Sequence, residues 1–445
     1  MDESETLDRP LENPPQESAP SETPPDPVPA ERKVPFFRVE LTEEEINEVV
    51  ATLRSGWLTT GPRARRFEQE FAKAVGGKHG VAVNSCTAAL HLALEALDLR
   101  AGQAVLVPTM TFAATAEPVR HMGALPIFVD CDPSTLNMDL ADAQRKLADL
   151  RAGRLPEPFH RDLEVAGMIP VHVGGLMMDP DAIRSFAKRH GLWVVEDAAH
   201  AFPAAWRSGA DGPWQYCGQD TAAVTCFSFY PNKTITTGEG GMAVTDNLEL
   251  AERMKLTSMH GLSRNAWQRY NGSGSWEYQI VAPGYKYNCN DIAATLGIHQ
   301  LSHAEEMRCR REAIARSYLE AFADVPELEP PPNPADRIHS WHLFPIRLNL
   351  HRLSLDRNAF IDALGKHGIG CSVHWRPLHL HPYYCERFGW PPEQLPVASS
   401  QWQRLVSLPL FPGMREEEWQ YVIQVVRELC RTHRVVNSGR PERLG

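Results

Sequence analysis

A chain of 445 residues, 43% hydrophobic and 23% charged, is long enough for two or three domains around a large core, with an ordinary globular composition. Its formal net charge of −11 argues against nucleic acid or an anionic membrane as main partner, since both attract a basic surface. The nine cysteines stand singly without CxxC spacing, which fits a reducing, cytoplasmic setting better than a disulfide framework. No apolar run approaches the ~18 residues that a membrane span needs.

Residues 1–32 carry acids, serines and prolines with almost nothing to bury, and read as a disordered tail. Helical apolar spacing follows at Leu41–Arg54 and Ala64–Val75, separated by Gly61-Pro62. A short strand, Val81–Val83, leads into a helix at Thr87–Leu97. Ala104–Val107 reads as a strand, Phe112–His121 as a helix and Leu125–Val129 as a strand. The theme repeats with strand Met168–Val171, helix Pro180–His190 and strand Leu192–Glu196, then strands at Ala222–Phe227 and Gly241–Val244. Such alternation predicts an α/β fold: a large domain over 33–300 whose mostly parallel seven-stranded sheet lies between helices. Beyond Asn290 a helical stretch runs to about Phe322 and prolines 330–332 follow. Trp341–Leu350, helix Arg357–His367, Cys371–Trp375 and helix Glu416–Cys430 then predict a smaller α+β domain over 301–436, with a flexible tail at 437–445.

Ligands of such sheets bind beyond the carboxyl ends of the strands, so the residues just after each strand are the ones to examine. Phe227–Gly241 lies between two predicted strands and places Lys233 in a stretch poor in other charge, with glycines for a tight return. Val194–Ala201 ends an apolar strand in Glu196 and Asp197, with His200 three residues on. Asn84–Leu90 opens a helix with Ser85, Cys86 and Thr87, whose free amides and helix dipole suit a phosphate. Pro108–Phe112 puts an aromatic face, Phe112, after another strand. Each signal alone has a plainer reading: a surface lysine, a capping aspartate, an ordinary N-cap, a core aromatic. Together they suit a pyridoxal cofactor, which needs a nucleophilic lysine, a carboxylate at its ring nitrogen, a phosphate cup and a stacking face.

In this order the segments resemble the DegT-type sugar aminotransferases, a fold-type I, aspartate aminotransferase-like group, from Pro35 to about Leu429. The matching blocks include Gly61-Pro62, Asn84–Leu90, Pro108–Thr115, Pro170–His172, Glu196–Ala201, Phe227–Gly241, His260-Gly261, Gly284–Asn288 and Ser407–Gly413. The resemblance implies pyridoxal 5'-phosphate carried by Lys233, which also shuttles the proton, with Asp197 at the ring nitrogen and Phe112 stacked on the ring. Cys86 (through its amide), Thr87 and Ser228 would hold the phosphate, and His200 would flank the cofactor. Asn288 would reach the neighbouring subunit's phosphate, which implies a homodimer with shared active sites. Cys86 stands where many members have glycine, Phe202-Pro203 replaces a more usual His-Gly, and the stretch from Trp206 to Gln219 is longer than usual.

The implied reaction moves an amino group from glutamate to a nucleotide-linked keto-sugar. Pro283–Asn288 is similar to the branch that aminates UDP-4-keto sugars. Arg264, Arg269 and Lys286 are the expected diphosphate contacts and His374 a further substrate contact. The histidines of Val373–His381 match no standard zinc spacing, so no metal is expected. Two rivals share the scaffold: a sugar dehydratase, which lacks the Schiff-base lysine, and a non-catalytic regulator, which needs no lysine-aspartate pair.

Overall fold

The computed structural model describes residues 33–263 and 279–435. Among the described residues, nine strands occupy the first part of the chain: β1 (His79–Val83), β2 (Gln103–Pro108), β3 (Leu125–Val129), β4 (Glu164–Met168), β5 (Trp193–Asp197), β6 (Ala205–Trp206), β7 (Gln215–Tyr216), β8 (Val224–Ser228) and β9 (Gly241–Thr245). Seven of them form one sheet in the order β1-β9-β8-β5-β4-β2-β3. Only β9 runs against its neighbours; the other ladders are parallel. Parallel strands need cover on both faces, and Val105–Val107, Ile127–Val129 and Val194–Val195 are accordingly buried in the main core. The expected α/β architecture is thus the observed one.

Two elements differ from the sequence expectation. The strand expected at Met168–Val171 ends at Met168, because Pro170 has no N–H for a ladder. Its carbonyl instead accepts from the Asp197 amide at 2.9 Å, which ties the chain to the end of β5. The helix expected at Phe112–His121 splits into a 3₁₀ turn, Ala113–Thr115, and a short helix, Glu117–His121, with Pro118 in its first turn. The split turns Thr115 toward β5.

Gly61-Pro62 is explained by a capping carboxylate from far along the chain. Asp291 accepts from the amides of Gly61 at 2.7 Å, Ala64 at 2.9 Å and Arg63 at 3.1 Å, so it caps helix Pro62–Ala74 across the fold. A Cβ on residue 61 would lie 2.7 Å from Asp291 Oδ2 and closer still to the Trp57 ring, so the position requires glycine.

The second part builds β10 (Leu328–Glu329), β11 (Arg337–Ile338), β12 (Phe344–Leu348) and β13 (Leu405–Leu408). Strands β10, β12 and β13 form a small antiparallel sheet, and Tyr318, Phe344, Phe360 and Phe411 fill the core beside it. Cys371–Trp375, named from sequence as part of the smaller domain, joins this sheet through a single bridge, Ser372 to Ser407. Strand β11 pairs with β6, and β6 with β7, so the long 206–219 stretch folds back as a hairpin against the second part of the chain. Among the described residues no helix is long and apolar enough to cross a membrane.

Candidate active site

Strand register assembles the anion cup. Gly241 stands opposite Val83 on one side and Ser228 on the other. The chain leaving β1 passes Ser85 and enters helix Cys86–Ala96, whose Ser85 hydroxyl caps the Ala88 amide at 3.1 Å. A Cβ at residue 241 would lie 2.4 Å from the Ser85 carbonyl carbon and 2.5 Å from the Cys86 nitrogen. Glycine there lets β9 lie against the first helical turn, and it brings Ser228, Cys86 and Thr87 together. Cys86 contributes little besides its amide, since burial pushes its thiol well above its ordinary pKa.

Asp197 closes β5 and is 5% exposed. Its carboxylate accepts from the Thr115 hydroxyl at 2.7 Å and the Ala199 amide at 3.1 Å. Burial nevertheless raises its pKa, and the two hydrogen bonds and the Lys233 charge only partly oppose that rise. A cation brought against this carboxylate is therefore strongly favoured. Phe112, three residues before Thr115, keeps 63% of its surface exposed, an uncovered aromatic face beside the same segment.

Lys233 sits in a loop closed by hydrogen bonds from its amide to the Tyr230 carbonyl at 2.9 Å and from the Thr237 amide to the Phe229 carbonyl at 3.0 Å. Gly238, at φ 78°, supplies the return. Burial draws the Lys233 ammonium down to about 8, against the attraction of Asp197 and with help from Arg311. Its Nζ lies 3.4 Å from Nε2 of His342. His342 had no signal in the sequence, where it stands more than a hundred residues away; nor did Arg311. The two are linked. Arg311, 2% exposed, donates to the carbonyls of Leu410 at 2.8 Å, Trp341 at 3.3 Å and His342 at 3.5 Å. Trp341 is held in the left-handed region at φ 51° while His339 stacks on its ring at 3.9 Å. That strained turn presents His342 to Lys233.

His200 and His374 complete the lining. The His200 ring lies 4.2 Å from that of His342 and stacks on Trp375 at 5.1 Å, and its Nδ1 accepts from the Gly174 amide at 3.2 Å. His374 pairs with the Ser407 hydroxyl at 2.9 Å. Burial first, then the Lys233 charge, lowers the pKa of His200 far below its ordinary value and that of His374 to about 4, so both are neutral near pH 7.

Other residues singled out by sequence lie elsewhere. Asn288 borders a different hollow from Lys233; its amide donates to the Thr60 hydroxyl at 2.7 Å and its carbonyl accepts from Lys286 Nζ at 2.6 Å. Arg264 and Arg269 lie outside the described residues. His172, Glu196 and Cys217 form a buried group of metal-ligand type behind Asp197. The Met178 amide donates to His172 Nδ1 at 3.1 Å, so the ring proton sits on Nε2, 3.5 Å from Glu196. A nitrogen that carries its proton is no metal ligand. Burial alone would raise the Glu196 carboxyl, but His172 and the hydroxyls of Thr221 and Thr225 hold it below its ordinary value.

A cup of amides and hydroxyls, a buried carboxylate at a strand end, a bare aromatic face and a desolvated lysine are what a pyridine ring with a phosphate and an aldehyde requires, so the residues present fit pyridoxal 5'-phosphate. The comparisons agree. Residues 39–427 match the model of the DegT/DnrJ/EryC1/StrS aminotransferase family. The spore coat polysaccharide biosynthesis protein SpsC of Bacillus subtilis is 42% identical over 399 residues, 89% of this chain and 97% of that protein. Spr1654 of Streptococcus pneumoniae, in its PMP form, superposes with a TM-score of 0.80 at 31% identity, covering 90% of this chain and all of the other. The sugar aminotransferase CalS13 of Micromonospora echinospora gives 0.75 at 27% identity, over 88% of this chain and 99% of its own. The chain belongs to the DegT/DnrJ/EryC1/StrS aminotransferase family, whose members depend on pyridoxal 5'-phosphate.

Proposed function

We propose that the protein transfers the amino group of glutamate to a nucleotide-linked keto-sugar, a UDP-4-keto sugar in the first instance, in amino-sugar or polysaccharide biosynthesis. The observation that carries this reading is the pairing of Lys233, its pKa near 8, with a buried Asp197 in one site. The relatives support the sugar: SpsC is named for polysaccharide biosynthesis and CalS13 as a sugar aminotransferase. The retained lysine speaks against the dehydratase reading, and the intact lysine-aspartate pair against a non-catalytic regulator.

The cofactor, when bound, delocalises negative charge from the carbon that exchanges its proton. The rest falls to the chain's own residues. Asp197 would hold a proton on the ring nitrogen, and the Thr115 hydroxyl and Ala199 amide fix that carboxylate in place. Ser228, Thr87 and the Cys86 amide would hold the phosphate, and Phe112 would cover one ring face. Lys233 Nζ, half of it unprotonated near pH 8, can take the proton from the donor's α-carbon. Neutral His342, 3.4 Å away, orients the amine without competing for the proton. We place the working unit in the cytoplasm as a homodimer, with Asn288 serving the neighbouring subunit's phosphate.

The test is incubation of purified protein with glutamate and a panel of nucleotide-linked keto-sugars, following 2-oxoglutarate release. Release that requires both a nucleotide sugar and Lys233 supports the proposal. Release with free keto-acids alone would overturn the sugar assignment.

A further inference from the structure

Glu196 and Asp197 are consecutive in β5, so their side chains leave opposite faces of the sheet. Asp197 faces the Lys233 site, whereas Glu196 points behind it and is 0% exposed. Among the described residues no lysine or arginine pairs with the Glu196 carboxylate. Its partners are the hydroxyls of Thr221 at 2.5 Å and Thr225 at 2.9 Å and, at 3.5 Å, Nε2 of the equally buried His172. A buried anion held only by neutral donors is costly to keep. His172 opens the loop 172–175, and that loop touches three parts of the site.

The first is the end of β5, where the His172 amide donates to the Asp197 carbonyl at 3.3 Å. The second is His200, whose Nδ1 accepts from the Gly174 amide at 3.2 Å. A ring nitrogen that accepts an amide carries no proton, so His200 bears its proton on Nε2 and is a donor there. The third is the turn that presents His342 to Lys233. The Gly174 carbonyl accepts from the Leu343 amide at 3.2 Å and the Gly175 carbonyl from the Ser340 amide at 3.3 Å, one on each side of His342. The Ser340 hydroxyl closes the circuit by donating to the His200 carbonyl at 2.5 Å. A Cβ on Gly175, at φ 101°, would lie 1.8 Å from that hydroxyl oxygen, so the contact is close by construction. The loop itself is held at His172, whose Nδ1 accepts from the Met178 amide at 3.1 Å while Nε2 turns its proton to Glu196. We propose that His172 is a positioning residue, anchored by Glu196 from behind the sheet. It holds the loop in register, and thereby fixes His200 as an Nε2–H donor and His342 against Lys233. This rests on Lys233 as the reacting amine in the reading above and is independent of which sugar is aminated.

The experiment combines nitrogen NMR of isotopically labelled histidine, with and without pyridoxal phosphate, with the single-turnover rate of cofactor-loaded protein toward glutamate. The His200 signals are assigned by their loss in His200→Asn, and in wild type they should show a protonated Nε2 and a bare Nδ1. Glu196→Leu removes the acceptor behind His172 at similar volume. His172→Asn keeps an acceptor for the Met178 amide but falls short of Glu196. Each should give a mixture of His200 tautomers and a rate lower by roughly ten- to a hundred-fold. Glu196→Gln can turn its amide oxygen to His172 and donate to the two threonines, so it should lose least. Folded leucine and asparagine variants with wild-type His200 signals and rate, whatever their loss of stability, would overturn the positioning role. An equal loss in Glu196→Gln would also overturn it, since the charge and not the anchor would then be what acts. If the leucine variant does not fold, His172→Asn decides by the same two readouts. Wild-type protein inert toward glutamate would remove that donor from the parent reading, and the His200 tautomer would still decide this one.

Discussion

At the scale of single residues, the site is built from groups that the fold holds against their preferred charge. Lys233 is drawn from 10.5 to about 8 by burial, and burial raises Asp197. The sign for Lys233 follows from linkage. Between about pH 8 and 10.5 the folded chain binds fewer protons at this site than the unfolded chain, so its burden on stability is full below pH 8 and vanishes above 10.5. The difference corresponds to roughly 3 kcal/mol at most. Cofactor-free Lys233→Met protein should therefore resist urea better than cofactor-free wild type at pH 7, with the gap closing as pH rises through that window. A constant gap across the window would show that the lysine is not desolvated. Gly241 makes the complementary case: its alanine variant should fold with a loss of about 1–3 kcal/mol. Its affinity for pyridoxal phosphate should fall further, by fluorescence titration, because the added Cβ meets the Cys86 amide. Sequence nominated Lys233, Asp197, Ser228 and Thr87 because each stands at or just after a strand end within a compact motif. His342 and Arg311 gave no such signal: their roles come from a turn folded in from the second part of the chain.

At the scale of elements, strand ends proved more informative than strand centres. The apolar run Met168–Val171 cannot reveal where a strand stops, since every residue in it is buriable; the stop is set by the missing N–H of Pro170. Likewise Phe112–His121 carries helical spacing, yet Pro118 restarts the helix, and that break turns Thr115 toward Asp197. Gly61-Pro62 was legible only as a breaker, while its cause, Asp291, lies 230 residues on. Asp291 is 1% exposed and accepts three amides with two oxygens. Replacing it by asparagine should cost about 2–3 kcal/mol, since an amide side chain offers a donor where an acceptor is needed. Urea denaturation of Asp291→Asn measures that loss, and a change under 0.5 kcal/mol, the ordinary range for a neutral substitution, would mean the cap is not energetically coupled to the fold.

At the scale of the whole molecule, the useful observation is that Asn288 and Lys233 border different hollows within one chain. It lies beside the edge strand β1, bridged to Val83, at the rim of a hollow of about 1040 Å³ that also includes Lys78 and Arg253. An asparagine carried on such an edge can serve a second copy that docks there, and two-fold symmetry would make each site depend on both chains. The prediction follows from counting groups. In a hybrid of Lys233→Ala and Asn288→Ala chains, one site lacks both residues and the other keeps both. Such a hybrid should have about half the wild-type activity, and a random equal mixture about a quarter, although each parent is far less active. If Asn288 instead acted within its own chain, every hybrid site would lack one residue and mixing would restore nothing. Subunit exchange followed by activity measurement on tag-purified hybrids separates the two outcomes, and unrestored activity in hybrids of proven composition would remove the shared-site proposal.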